Sequence, residues 1–454
     1  MLNIPLKPSD AQWTDEQWKA IWATGQDTLV SAAAGSGKTA VLVERLIQKI
    51  LAKENPVDVD QLLVVTFTNA SAAEMRSRLA AALEKAIAND PHNAFLRRQL
   101  SLVNKAQIST LHSFCLAICR QYAYMIDLDP AFRIASQDEA ALLRDDVLAA
   151  VLEQAYSEEG ELSKAEVYHL VDSFSSDRHD QEIEILLEQL YEMSRVQPEP
   201  FKWLDTLPQA YHLPPTTTVD DLQFVADLKK SIEHSLLAAE QNLLAMKRYA
   251  EGDFGLSAYA ATANEELAFV QVALEKLSNG TWQDVYDHMQ HAAWGRIPTI
   301  KKTDNADPVI KELAKDHRDI AKDIVKGIKE KFFVRQPQYL IEEIRQMQPI
   351  IATLVKLVKE YSNAFKAAKL ERGLVDFSDL EHYALEILTE NVDDRLSPSS
   401  VALDYQQRFK EVLVDEYQDV NMLQETILQL VKSGGEADGN MFMVGDVKQS
   451  IVRP

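Results

Sequence analysis

Two short runs carry the residue types that nucleotide hydrolysis requires. The first, Ser31-Ala32-Ala33-Ala34-Gly35-Ser36-Gly37-Lys38-Thr39, lies near the N-terminus of a 454-residue chain. Its small residues let the backbone fold tightly and aim N–H groups at a β-phosphate. Lys38 adds a mobile positive charge, and Thr39 offers a hydroxyl to Mg²⁺. The run has the form A/G-x4-G-K-S/T, with Ala32 where the commoner pattern has its first glycine. The second run is Val414-Asp415-Glu416-Tyr417-Gln418-Asp419. Here an apolar stretch delivers the Asp415 carboxylate to a metal shell, and Glu416 stands where it would orient and deprotonate an attacking water. Taken alone, Asp415-Glu416 reads equally as a solvated acidic pair. More than 370 residues separate the two runs, so a large segment must lie between loops that meet around one nucleotide.

The elements that must position these runs alternate strand and helix at both ends of the chain. Residues 27–32 are a strand candidate, and the loop after them feeds a helix over about 38–52 with Leu42, Leu46, Ile47 and Ile50 on one side, stopped near Asn55-Pro56. Residues 62–67 read as a second strand before an alanine-rich helix over about 70–88, and residues 105–110 as a third before a helix around 112–124. Val412-Leu413-Val414 and Met441-Phe442-Met443-Val444 are two more short apolar runs, each ending in polar residues. This is the layout of an open parallel sheet, whose ligands bind outside the carboxyl ends of the strands. Between about 133 and 370 long helical patterns take over (140–155, 181–193, 339–367), broken by a Pro-rich linker at 197–218 and a polar stretch at 297–308. The expected fold class is therefore α/β. Residues 1–132 and 371–454 supply a parallel sheet with flanking helices, interrupted by a large helical insertion at 133–370.

Composition agrees with a helix-heavy chain, since Gly (14) and Pro (16) are sparse. The N-terminus has no basic segment followed by an apolar core, and no run of about 18 apolar residues occurs, so the expectation is a soluble cytoplasmic chain with no membrane partner. Cys115 and Cys119 read as two buried small residues or as half a metal site that no further Cys cluster completes. The net charge of −23 is unevenly spread: residues 1–134 hold 14 Lys and Arg against 13 Asp and Glu, while residues 371–454 hold 7 against 17. The segment with the phosphate loop is thus the least acidic. Screening confines each field to about 10 Å, so a local groove can still hold a polyanion. Residues 311–331 mix seven basic with five acidic side chains, which suits a solvated helix or a DNA-contacting face.

Further runs fall in a fixed order around the first two. Thr14-Asp15-Glu16-Gln17 with Ala20-Ile21 precedes the phosphate loop. Thr66-Phe67-Thr68-Asn69 with Ala72-Ala73-Glu74-Met75 follows it, then Thr110-Leu111-His112-Ser113-Phe114. Val375-Asp376-Phe377-Ser378-Asp379-Leu380 precedes the acidic run, and Val444-Gly445-Asp446-Val447-Lys448-Gln449-Ser450-Ile451 follows it. As a set these resemble the superfamily 1 DNA helicases of the UvrD/Rep type, and within them the AddA (RexA) group of bacterial ATP-dependent helicase/nucleases.

The resemblance implies a RecA-like P-loop domain, with residues 133–370 in the place of the family's insertion 1B. Ala32, Ala33, Ala34, Gly35, Ser36, Gly37, Lys38 and Thr39 would cradle ATP, and Gln17 would contact adenine. Thr39 and Asp415 would hold Mg²⁺, Glu416 would activate water, and Gln449 would sense the γ-phosphate. Thr66, Phe67, Asn69, Thr110, His112 and Phe114 would line a single-strand DNA channel. An exposed Phe67 or Phe114 gains about 1–3 kcal/mol from a stacked base, although either is equally well a core aromatic. His112 is also read as a hydrogen-bonded turn histidine, and Asp376 and Asp379 as helix caps.

The activity implied is that of an ATP-dependent 3′→5′ DNA helicase, acting on single- and double-stranded DNA. It would work with an AddB-like (RexB-like) partner in a heterodimer that processes double-strand breaks for recombinational repair. A UvrD/PcrA-type helicase without nuclease, or a DNA- or partner-binding fragment without turnover, are the alternatives. The family continues past Ile451 with aromatics where this chain has Val452-Arg453-Pro454. The expectation is thus a truncated product lacking the second motor domain, its cleft-spanning arginine and a C-terminal nuclease.

Overall fold

In the computed structural model the described residues are 4–33, 35–52, 54–126, 128–157, 162–175, 181–392, 395–435 and 437–446. Ala34 and Gln449, with the rest of 447–454, lie outside them.

The apolar runs become five strands: β1 (Thr28–Ser31), β2 (Leu62–Thr66), β3 (Gln107–Thr110), β4 (Glu411–Val414) and β5 (Met441–Gly445). All pair in parallel, in the order β1-β5-β4-β2-β3. β2, β4 and β5 are buried along their whole length, as strands covered on both faces must be, which explains why they are apolar but for Thr66 at the end of β2 and Glu411 at the start of β4. Side chains alternate between the faces. Leu63, Val65, Val412, Val414, Met441 and Met443 enter one core, while Leu62, Val64, Leu413, Phe442 and Val444 enter the other.

Five helices of the N-terminal part matter for the site: α1 (Asp15–Trp22), α2 (Lys38–Ile50), α3 (Asn69–Asn89), α4 (Ala94–Leu102) and α5 (Leu111–Tyr122). The first core is closed by α5 and the helices Phe377–Leu388, Ser400–Arg408 and Met422–Val431; the second by α1, α2, α3 and α4. α2, α3 and α5 each start directly beyond a strand, so their N-termini gather at the carboxyl edge of the sheet.

The chain divides into two compact units, one made of residues 1–205 and 353–454, the other of residues 206–352. Residues 133–205 and 353–370, grouped by sequence rhythm with the helical middle, thus cluster with the sheet. Within the first unit the short strands Arg133–Ile134 and Leu374–Val375 pair in parallel, and helices Gln137–Tyr156, Lys164–Phe174 and Gln181–Arg195 follow. The second unit is helical, built mainly from Val225–Glu251, Ala260–Asn279, Trp282–Gln290 and Pro308–Phe332. Its core includes Leu236, Leu243, Met246, Val270, Trp282 and Val325. Buried Arg318 donates to Glu266 Oε2 at 2.9 Å and to the Gly295 carbonyl at 2.7 Å. Lys315 and Lys326 of Pro308–Phe332 pair along the helix with Glu312 and Glu330, as on a solvated face.

Candidate functional site

At the carboxyl edge of the sheet every strand ends in one of the runs singled out above. Register fixes their order. Ser31 pairs with Gly445, Val414 with Met443, Val65 with Val414, and Thr66 with Thr110. Crossing the edge, one meets the phosphate loop, then Gly445-Asp446, Asp415-Glu416, Thr66-Phe67 and finally Thr110.

The loop after β1 depends on two glycines in the left-handed region, Gly35 (φ 75°) and Gly37 (φ 82°), the second serving as N-cap of α2. A side chain at either position would be strained. Ala32 N–H donates to the Gly445 carbonyl at 3.1 Å, and Ser36 N–H to the Ala33 carbonyl at 3.2 Å. Gln17 braces the turn: its Oε1 accepts from Thr14 N–H at 2.9 Å while its Nε2 donates to the Ser36 carbonyl at 3.0 Å. Lys38 Nζ donates to the Ala32 carbonyl at 3.1 Å, so the ammonium lies folded across the mouth of the loop.

The acidic half is more buried. Thr39 Oγ1 stands 3.5 Å from Asp415 Oδ2, bringing residues from the two ends of the chain together. Burial, reinforced by the charge of Glu416, pushes the Asp415 carboxyl up to about 6. A buried carboxylate facing a hydroxyl at a helix N-terminus fits a divalent cation that takes its other ligands from phosphate and water. Among the described residues no group of three or more His, Cys, Asp or Glu forms another metal site. Glu416 has φ 53° and ψ 46°, a conformation that costs a non-glycine residue roughly 1–3 kcal/mol and concentrates at functional sites. Its N–H donates to Asp415 Oδ1 at 3.1 Å, and its Oε2 accepts from Gln418 Nε2 at 2.8 Å.

A buried arginine joins the two halves. Arg45 of α2 is 3% exposed, and its guanidinium lies 4.4 Å from the Phe442 ring of β5. Its Nε donates to Glu411 Oε1 of β4 at 2.6 Å, and its Nη1 to the Ala20 and Ile21 carbonyls of α1 at 2.8 and 3.2 Å.

Beyond β2 and β3 the residues read as DNA contacts divide. Phe67 is 59% exposed, and Asn69 is exposed at the start of α3. Thr66 is buried, with its hydroxyl bonded to the Thr68 carbonyl at 2.9 Å. Thr110 caps α5, its Oγ1 accepting from Ser113 N–H at 3.3 Å. Phe114 corrects the expectation of an exposed aromatic: it is 1% exposed, on the inner face of α5, with ring contacts to Tyr405 and Phe409. The helix starts at Leu111, which turns Phe114 into the core together with Cys115, Ile118 and Cys119. Both cysteines are free and buried, the simpler of their two readings.

His112 Nε2 lies 3.1 Å from Glu381 Oε1, which also accepts from Gln424 Nε2 at 2.7 Å. Burial raises Glu381 to about 7 and lowers His112, so both shifts favour a hydrogen bond between neutral groups. Phe377, 49% exposed, presents its ring 5.1 Å from that of His112. The two line a cleft of about 500 Å³ with Ser136, Glu381, Asn421 and Gln424. Asp376 and Asp379 form a capping box, and both also pair with buried Lys369 at 2.6 Å. Phe377, Gln418, Arg45 and Glu411 were missed by sequence reasoning. Phe377 and Gln418 lie inside runs already quoted, whereas the Arg45–Glu411 pair leaves no local signal.

The family model of the UvrD/REP helicase N-terminal domain matches residues 13–453. The chain is 58% identical over 451 residues to the AddA component of the ATP-dependent helicase/nuclease of Lysinibacillus sphaericus, covering 99% of this chain and 36% of that protein. It is 47% identical over 453 residues to the protein of the same name from Bacillus cytotoxicus (99% and 36%), and 46% identical over 454 residues to that from Bacillus anthracis (100% and 36%). The chain thus spans about a third of the length of these curated relatives. Among the described residues no helix is long and apolar enough to cross a membrane.

Proposed function

We propose, since the chain belongs to the UvrD/REP helicase family, that it is the ATP-binding N-terminal part of an ATP-driven DNA helicase motor. One observation carries the reading: the sheet brings Lys38 and Thr39 to Asp415 and Glu416 across most of the chain, with the Thr39 hydroxyl 3.5 Å from the Asp415 carboxylate. Gln17 grips adenine beside the turn it braces. Lys38 exchanges the Ala32 carbonyl for phosphate oxygens, while N–H groups at the start of α2 face the same anion. Thr39 and Asp415 hold Mg²⁺, which when bound neutralises charge on the phosphates. Glu416 orients the attacking water and takes its proton, and Gln449 links the γ-phosphate to the DNA side.

DNA lies beyond β2 and β3, on the far side of the carboxylates from the phosphate loop. Phe67 and Phe377 stack bases. Asn69, Thr66, Thr110 and His112 shape the loops around them, and Phe114 supports the surface from below. The helical residues 133–370 correspond to the family's insertion 1B. The names of the relatives support a whole protein that is one component of a helicase/nuclease. In that assembly the motor runs 3′→5′ with an AddB-like partner, in the cytoplasm, on double-strand breaks destined for recombination.

Lys38→Ala tests the site. Titration with a fluorescent ATP analogue in the presence of Mg²⁺ is expected to show binding lost in this variant, and unchanged affinity would sink the assignment.

A further inference from the structure

Gln418, in the turn Tyr417–Asp419, lies between the loops that leave two neighbouring strands. Its Nε2 donates to Glu416 Oε2 at 2.8 Å and to Asp419 Oδ2 at 3.2 Å, and its Oε1 accepts from Asp446 N–H, just beyond β5, at 2.8 Å. A side-chain amide has one donating and one accepting end. A main-chain N–H can only donate, so the Asp446 contact fixes the orientation of the amide and aims its NH₂ at the two carboxylates. Gly445 leaves the room this needs: a Cβ there would lie 2.7 Å from Gln418 Oε1 and 3.2 Å from Gln418 N. The bond takes one acceptor site of Glu416 Oε2 and restrains rotation of the carboxylate, leaving Oε1 open to water.

We propose that Gln418 is a positioning residue that holds the Glu416 carboxylate in its hydrolytic orientation and ties that orientation to the backbone at the end of β5. A displacement of Asp446 N–H then reaches Glu416 through one rigid amide. The inference rests on the ATP-hydrolysing reading of the site. It adds to that reading a side chain acting through another carboxylate.

The test is single-turnover ATP hydrolysis and ATP affinity, measured on the 454-residue chain with Mg²⁺ and a single-stranded oligonucleotide. Removing groups that orient an active ligand commonly costs about 10–100-fold in activity. Gln418→Ala is expected to lose that much at saturating ATP, with Kd for ATP within about 2-fold of wild type. Gln418→Glu fills the same space but has no N–H to give Glu416, so it should be as slow. Gly445→Ala should fall in the same direction by displacing the amide. Glu416→Gln/Gln418→Ala should be no slower than Glu416→Gln alone, because the second residue acts through the first. A wild-type rate in Gln418→Glu, additive losses in the double variant, or a Kd rising in step with the rate loss would each overturn the proposal. If Glu416→Gln hydrolyses ATP as fast as wild type, the reading of the whole site fails. If Glu416→Gln is slow and Gln418→Ala is not, only the role of Gln418 fails.

Discussion

The two halves of the nucleotide site use the left-handed backbone in opposite ways. In the phosphate loop it is occupied by Gly35 and Gly37, which reach it without steric cost, and neighbouring groups bond mainly to the loop itself. In the acidic loop it is occupied by Glu416, whose side chain makes the conformation unfavourable and whose neighbours hold it there through Gln418. The first half is free to wrap an incoming anion. The second is built before the ligand arrives. A phosphate must be enveloped, whereas a general base must already point in the right direction, and the residue types follow that division.

The largest effect should come from separating chemistry from binding in the acidic half. Glu416→Gln is expected to lower hydrolysis by about 10²–10⁴ while ATP affinity, read by titration, stays near wild type; a parallel loss of affinity would erase the distinction between the halves. Next comes the brace between them. Arg45→Ala leaves buried Glu411 with only the longer Lys49 contact at 3.7 Å; breaking a buried pair typically costs about 3–5 kcal/mol, and denaturant unfolding should show a loss toward the lower end of that range. A loss below about 1 kcal/mol would mean that the halves do not depend on this strut. The smallest effects should be of opposite sign. Gly35→Ala, at φ 75° with open space around the added methyl, should cost about 1–2 kcal/mol of stability from backbone strain alone. Glu416→Gly should gain about 1 kcal/mol while losing turnover. Equal signs in the two melting temperatures would break the comparison.

The sheet and its helices were readable because fully buried strands are short, apolar and followed by caps. Leu62, Leu63, Val64 and Val65 announce β2, and Thr68 and Thr110 announce the helices after β2 and β3. The two runs that face each other across Thr39 and Asp415 were legible for the same reason, since each strand end carries its own polar residues. What sequence could not convey is which way an aromatic turns. Phe67 follows β2 directly, ahead of α3, and is exposed, whereas Phe114 lies in the first turn of α5 and turns into the core. Nor could it reveal pairings such as Arg45 with Glu411 or His112 with Glu381, because nothing local to either partner records the other. The grouping of residues 133–205 with the sheet-bearing unit was hidden similarly, since amphipathic helices look alike whichever core they cover.

Sheet order also sets a timetable for synthesis. β1 is complete at Ser31, but the strand beside it, β5, ends at Gly445, and the open side of β2 waits for β4. A ribosome adding about 5–20 residues per second needs on the order of tens of seconds to pass from one to the other. From the completion of β3 until β4 follows, one side of β2 is without its partner, and β1 has no neighbouring strand until β5. The ATP site therefore closes only once β5 has been made, long after its own phosphate loop.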